Sequence, residues 1–154
     1  MPVMTTQQKA YAQYKNNKVM GASGPELTLM LYDGAIKFLN IADYAIENND
    51  VPKAHENIMK TERIIDYLRN TLDMKYAVAQ DFENMYSYIG RRLVEANISK
   101  DREIISEVNK HMHAIRDNWV EVMKANNIVL HLERMHIGII PLDSTKQCMF
   151  QKPL

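Results

Sequence analysis

The stretch LTLMLYDGAIKFL, Leu27–Leu39, decides how this chain folds, because only Thr28, Asp33 and Lys37 interrupt its apolar run with polar side chains. On a helix turning about 100° per residue, Leu27, Leu31, Phe38 and Ala42 fall on one side. Leu29, Tyr32, Ile36 and Leu39 fall roughly 140° further round. A single face cannot hold both groups. The first, continued as Leu27, Leu31, Ala35, Phe38, Ala42 and Ala45, is expected to be core. The second has two readings. It is more core, because a helix in a four-helix bundle touches two neighbours, or it is a groove that takes a partner helix at i, i+3, i+7 spacing. An exposed patch of that size would otherwise promote aggregation.

Outward from this stretch the chain reads as helices with short connections. Ser23-Gly24-Pro25-Glu26 opens the first, with Ser23 as N-cap and Glu26 completing a capping box, or with Gly24 as cap and Pro25 in the first turn. Glu47-Asn48-Asn49-Asp50 is a turn cluster, and Asp50 caps a second helix that tolerates Pro52 in its first turn. Its stripe is Ala54, Ile58, Thr61, Ile65, Leu68 and Leu72. Leu72 to Tyr76 breaks the period, and a third helix carries Val78, Phe82, Met85, Ile89, Leu93 and Ala96. Ser99 or Asp101 caps a fourth, with Ile104 or Ile105, Val108, Met112, Ile115, Trp119 and Val122. Helices of about 20 residues, roughly 30 Å each, joined by short loops, form antiparallel neighbours. The expected fold is an all-α, up-down-up-down four-helix bundle over residues 23–125, preceded by an N-terminal arm or short helix in 1–22. Residues 126–154 begin with Asn126-Asn127 and form a tail of unassigned structure.

The 154-residue chain is long enough for one domain with its own core. Its 19 basic and 19 acidic side chains cancel, which offers no footprint for nucleic acid or an anionic membrane. The single cysteine, Cys148, points to a reducing compartment. With no secretory signal pattern and no membrane-length apolar run, a soluble cytoplasmic protein without membrane insertion is expected. Eleven methionines suit either helix formation or a surface that adapts to a partner. No Ser-His-Asp pattern, phosphate loop or paired-cysteine motif is present. A carboxylate-bridged metal site needs two Glu-x-x-His motifs, and Glu133 to His136 supplies one. His111 and His113, two apart, project from different helix faces. No catalytic residue, metal site or cofactor is therefore assigned.

The sequence resembles the flagellin export chaperone (FliS) family. The resemblance runs from about Ala10 to Lys124 through AYAQYKNNKV (Ala10–Val19), ASGPELTLMLYDGAIKFL (Ala22–Leu39), TLDMKY (Thr71–Tyr76), MYSYIGRRLVEAN (Met85–Asn97) and EVNKHMHAIRDNWVEVM (Glu107–Met123). It departs where Gly24 separates the capping Ser23 from Pro25, where a family glycine is replaced near Ala77, and beyond about Asn127.

This resemblance implies a four-helix bundle without enzymatic activity. Such a chaperone binds the disordered C-terminal segment of flagellin in the cytoplasm, prevents premature polymerisation, and delivers it to the export gate of the flagellar type III secretion apparatus. The free protein is expected as a monomer or weak dimer. The second stripe of the first helix, Leu29, Tyr32, Ile36 and Leu39, is the candidate client groove, with Tyr11, Tyr14 and Val19 of the arm as further client-binding residues; those three and Met20 are expected to cover the stripe when no client is bound. A generic helical adaptor or oligomerisation module would share the stripe but not the motifs, and a bundle metalloenzyme would carry bound iron or manganese.

Overall fold

The computed structural model describes residues 24–134, with side chains as far as Ala125. Four helices follow one another: α1 (Gly24–Glu47), α2 (Val51–Asn70), α3 (Ala77–Ser99) and α4 (Arg102–Arg134). α1 packs on α2 and α4, and α3 packs on the same two, so the helices stand at four corners. Cross-helix pairs fix the antiparallel order: Asp33 meets Arg116, Asn40 meets Asn109 and Asp43 meets Arg102.

Local chemistry explains the boundaries. Asn49 adopts the left-handed conformation (φ 59°) that asparagine tolerates after a helix end. Asp50 then accepts from the Lys53 amide at 3.2 Å, with Pro52 in the first turn of α2, where its missing N–H costs no hydrogen bond. α3 ends at Lys100, also left-handed (φ 53°), whose amide donates to the Ala96 carbonyl at 2.7 Å. Asp101 caps α4, accepting from the Glu103 amide at 2.8 Å, while Ser99 accepts from the Asp101 amide at 3.3 Å. α3 begins at Ala77 after an ordinary extended Tyr76 (φ −90°, ψ 133°), a turn that requires no glycine.

Both paired turns, Asn48–Asp50 and Lys100–Asp101, lie at one end of the bundle, here the turn end. The start of α1, the Thr71–Tyr76 loop and Trp119 lie at the other, the loop end. The core runs between them. All of the expected α2 stripe is buried: Ala54, Ile58, Thr61, Ile65, Leu68 and Leu72. The buried polar groups Thr28, Asn57 and Thr61 donate back to carbonyls one turn earlier, at 3.1, 2.8 and 3.0 Å, so no donor is stranded.

Two expectations are corrected. On α1 the open groove expected at Tyr32, Ile36 and Leu39 is core: they are 1%, 9% and 0% exposed. Leu27, Leu31 and Phe38, expected as core, are only half-buried. The reason is geometric. Thr28, Ala35 and Ala42 mark the centre of the buried arc, and the two greasy stripes are its shoulders. One shoulder faces α2, where the Lys60 ammonium sits 5.3 Å from the Phe38 ring centre and Ile64 packs against Gly34. The other faces α4 beside Asp33, Asn40 and Asp43. The fourth helix continues through Asn126-Asn127, where the tail of unassigned structure begins, to Arg134, since asparagine is only a mild helix breaker. The N-terminal arm, and the tail beyond Arg134, lie outside the described residues.

Candidate functional site

Among the described residues no group of three or more His, Cys, Asp or Glu is placed to hold a metal ion, and no helix is long and apolar enough to cross a membrane. What the fold does present is apolar surface, and its distribution is uneven.

Polar seams close the sides of the bundle. Between α1 and α4, Arg116 donates to Asp33 at 2.7 Å, Asn109 to Asn40 at 2.8 Å, and Arg102 to both oxygens of Asp43 at 2.9 and 3.0 Å. Arg102 also lies 3.6 Å from Glu47. Residues 102, 109 and 116 thus read 47, 40 and 33 at seven-residue intervals in the opposite sense. A shallow cleft of about 320 Å³ beside Asn40, Arg102 and Asn109 belongs to this seam. The Asn109 carbonyl oxygen is buried there without a hydrogen-bond partner among the described residues.

Between α3 and α4 the seam is gathered around Glu107. Arg92 donates to it at 2.7 and 3.1 Å, and the Tyr88 hydroxyl donates a short bond. These bonds, Tyr88's first and Arg92's next, hold the Glu107 carboxyl below its usual pKa. The His111 ring stands edge-on to Tyr88 at 5.8 Å. Continuing this register towards the loop end brings Met85 level with Ala114 and Val78 level with Glu121 and Val122. There the character changes. Val78, Phe82 and Met85, one shoulder of α3, and Val122 and Met123 of α4 are packed against the core yet only half-buried. Leu29 of α1 is half-buried on the other flank of α4.

Beneath this surface lies an aromatic layer. Tyr32 of α1 and Tyr86 of α3 join hydroxyl to hydroxyl at 2.7 Å across the bundle diagonal. Trp119 stands edge-on to Tyr32 (6.4 Å, 86°), and its indole N–H donates to the Pro25 carbonyl at 2.9 Å. Phe82 tilts over Tyr86 at 5.9 Å. Burial pushes the Tyr32 phenol up to about 12 and raises Tyr86 further, so both hydroxyls stay protonated above the range in which an ordinary tyrosine ionises.

The expected site residues therefore divide. Leu29 keeps partial exposure, Tyr32, Ile36 and Leu39 lie under the surface, and Tyr11, Tyr14 and Val19 lie outside the described residues. Reading α3 as the stripe of Val78, Phe82 and Met85 missed that Ala79 and Tyr86 take the core positions in its first half. The complementary heptads 33/40/47 and 102/109/116 were the signal in the sequence that the second α1 shoulder faces α4.

The family whose sequence model matches residues 7–126 is described as "Flagellar protein FliS". The chain is 39% identical over 118 residues to the flagellar secretion chaperone FliS of Bacillus subtilis, covering 77% of this chain and 89% of that one. It is 36% identical over 118 residues to the flagellar secretion chaperone FliS of Salmonella typhimurium, covering 74% and 87%. With the corresponding Escherichia coli chaperone it shares 33% over 125 residues, covering 79% and 92%. These relatives carry the name of secretion chaperones, and the family match over residues 7–126 takes in every residue of the surface described above. The chain belongs to the FliS family of flagellar proteins.

Proposed function

We propose that this protein is a cytoplasmic export chaperone that binds the disordered C-terminal segment of flagellin, prevents its premature polymerisation and delivers it to the gate of the flagellar type III export apparatus. The observation that carries the reading is the half-exposed apolar shoulder at the loop end, Val78, Phe82 and Met85 with Val122 and Met123, in a chain of this family. An amphipathic segment that folds on binding recovers its ordering entropy by burying apolar area along a path of this kind. Methionine suits such a path, because its unbranched chain repacks against different partners. Leu29 belongs to the same proposed surface, with Tyr11, Tyr14 and Val19 contributing from the arm. Tyr32 supports it from beneath through Tyr86 and Trp119, while Ile36 and Leu39 are core.

The test is a calorimetric titration with a peptide of the flagellin C-terminal segment. One-to-one binding with a heat-capacity decrease and a gain in helicity beyond the sum of the parts is expected. The Val78→Gln/Met85→Gln variant should stay folded, with some loss of melting temperature because both side chains also pack on the core, yet bind at least ~10-fold more weakly, since each lost aliphatic contact is worth about 1.5–3 kcal/mol. Absence of binding by the wild type at tens of micromolar peptide refutes the reading.

A further inference from the structure

We propose that the Tyr32–Tyr86 hydroxyl pair is a positioning device that fixes how α3 is turned against α1, and thereby which α3 side chains stand on the loop-end surface. The inference rests on the reading of that surface as the client site.

α1 and α3 occupy opposite corners, and their packing is principally with α2 and α4. The orientation of one against the other is otherwise transmitted through those two intermediaries. The hydroxyl pair spans the diagonal directly, at 2.7 Å, between rings that are 1% and 0% exposed.

Its proton balance is unusual. Each phenol carries one O–H, and the pair uses a single proton, donated from one oxygen to the other. Neither hydroxyl has a further hydrogen-bond partner among the described residues. Among the described residues one phenol proton is therefore without an acceptor, a penalty that two phenylalanines of the same shape would not incur. What the hydroxyls provide instead is direction, because an O–H···O bond constrains distance and angle where two apolar ring edges slide. Both phenols are neutral at pH 7, as any tyrosine is, and burial extends that state to higher pH.

The surface residues depend on that direction. Met85 adjoins Tyr86, and Phe82 lies one turn before it with its ring tilted over Tyr86 at 5.9 Å. A turn of α3 by one residue position, about 100°, would exchange Met85 for Tyr86 in the core and dismantle the shoulder.

The Tyr32→Phe/Tyr86→Phe double variant tests this, because it removes both hydroxyls and leaves no half-made bond. It is expected to melt close to the wild type. The Met85 methyl NMR signal should broaden or split as α3 samples more than one orientation, and the flagellin C-terminal peptide should bind about three- to tenfold more weakly. A single sharp Met85 signal with unchanged peptide affinity overturns the proposal. If the wild type itself fails to bind the peptide, the functional reading falls. The pair is then judged on the peptide-free Met85 signal alone, sharp overturning the proposal and split supporting it.

Discussion

At the turn end, Arg102 holds Asp43, Tyr88 and Arg92 converge on Glu107, and the buried positions Ala42, Ala45, Ala54 and Ala96 are small. At the loop end the centre is filled by Tyr32, Tyr86 and Trp119, and the shoulders carry Val78, Phe82, Met85, Val122 and Met123 in partial exposure. Small core residues let helix axes approach, whereas aromatic ones hold them apart. Both ends carry ion pairs, Arg102 with Asp43 at one and Arg69 with Glu83 at 2.7 Å at the other, so the difference lies in the core, where alanines mark the turn end and rings the loop end. The apolar surface differs in kind as well: Tyr44, Val51, Val94 and Ile98 stand exposed at the turn end, whereas the loop-end side chains are half-buried and packed against the core.

The largest effect that would break this comparison lies in the α1 core. Leu39→Ala should cost about 2–5 kcal/mol of stability, as expected for a fully buried leucine. Phe38→Ala should cost clearly less in denaturant titration, because Phe38 is half-buried under Lys60. Equal losses would mean that both shoulders of α1 are equally central.

An intermediate effect comes from alkaline pH. Tyr32 and Tyr86 titrate above the ordinary tyrosine value in the folded protein, so their contribution is fully present below about pH 10. Between pH 10 and 12 the unfolded chain loses phenolic protons that Tyr32 retains when folded. Each such retained proton lowers stability by about 1.4 kcal/mol for every pH unit climbed within that window. The Tyr32→Phe/Tyr86→Phe variant should show a shallower decline of melting temperature over the same range. A parallel decline would remove the pair from the aromatic layer's energetics.

The smallest effect sharpens the turn end. Lys100 holds a left-handed conformation (φ 53°, ψ 37°) that glycine adopts without penalty. Lys100→Gly should raise stability by about 0.5–1 kcal/mol, offset in part by the lost Lys100 ammonium bonds to Asn97. The same gain should leave peptide binding untouched, because the substitution lies at the other end from the proposed surface.

Much of the frame was legible in the chain itself. The Asp50 cap, the Asn48-Asn49 turn and the α2 stripe from Ala54 to Leu72 rest on local rules, and the structure places them as expected, while of the two caps open for α4, Ser99 and Asp101, it is Asp101 that accepts from the helix. The faces of α1 were not, because alanine and threonine carry little hydrophobic signal. Ala35, Ala42 and Thr28 mark the centre of the buried arc while the large side chains flank it. The candidate surface was least legible of all. Whether Val78 and Met85 stand inside or on a shoulder depends on the rotation of α3, set by Tyr86, Arg92 and Tyr88 meeting residues far away in sequence.

The placement of Trp119 has an optical consequence. It is the chain's single tryptophan, 3% exposed, tethered to the first turn of α1 and edge-on to Tyr32 at the loop end. Its fluorescence therefore reports on one locality, with no second indole to dilute the signal. A ligand that shifts the aromatic layer should change the emission colour, while events confined to the turn end leave it unaltered. The molecule carries its own probe at the place where occupancy is proposed, without any attached dye.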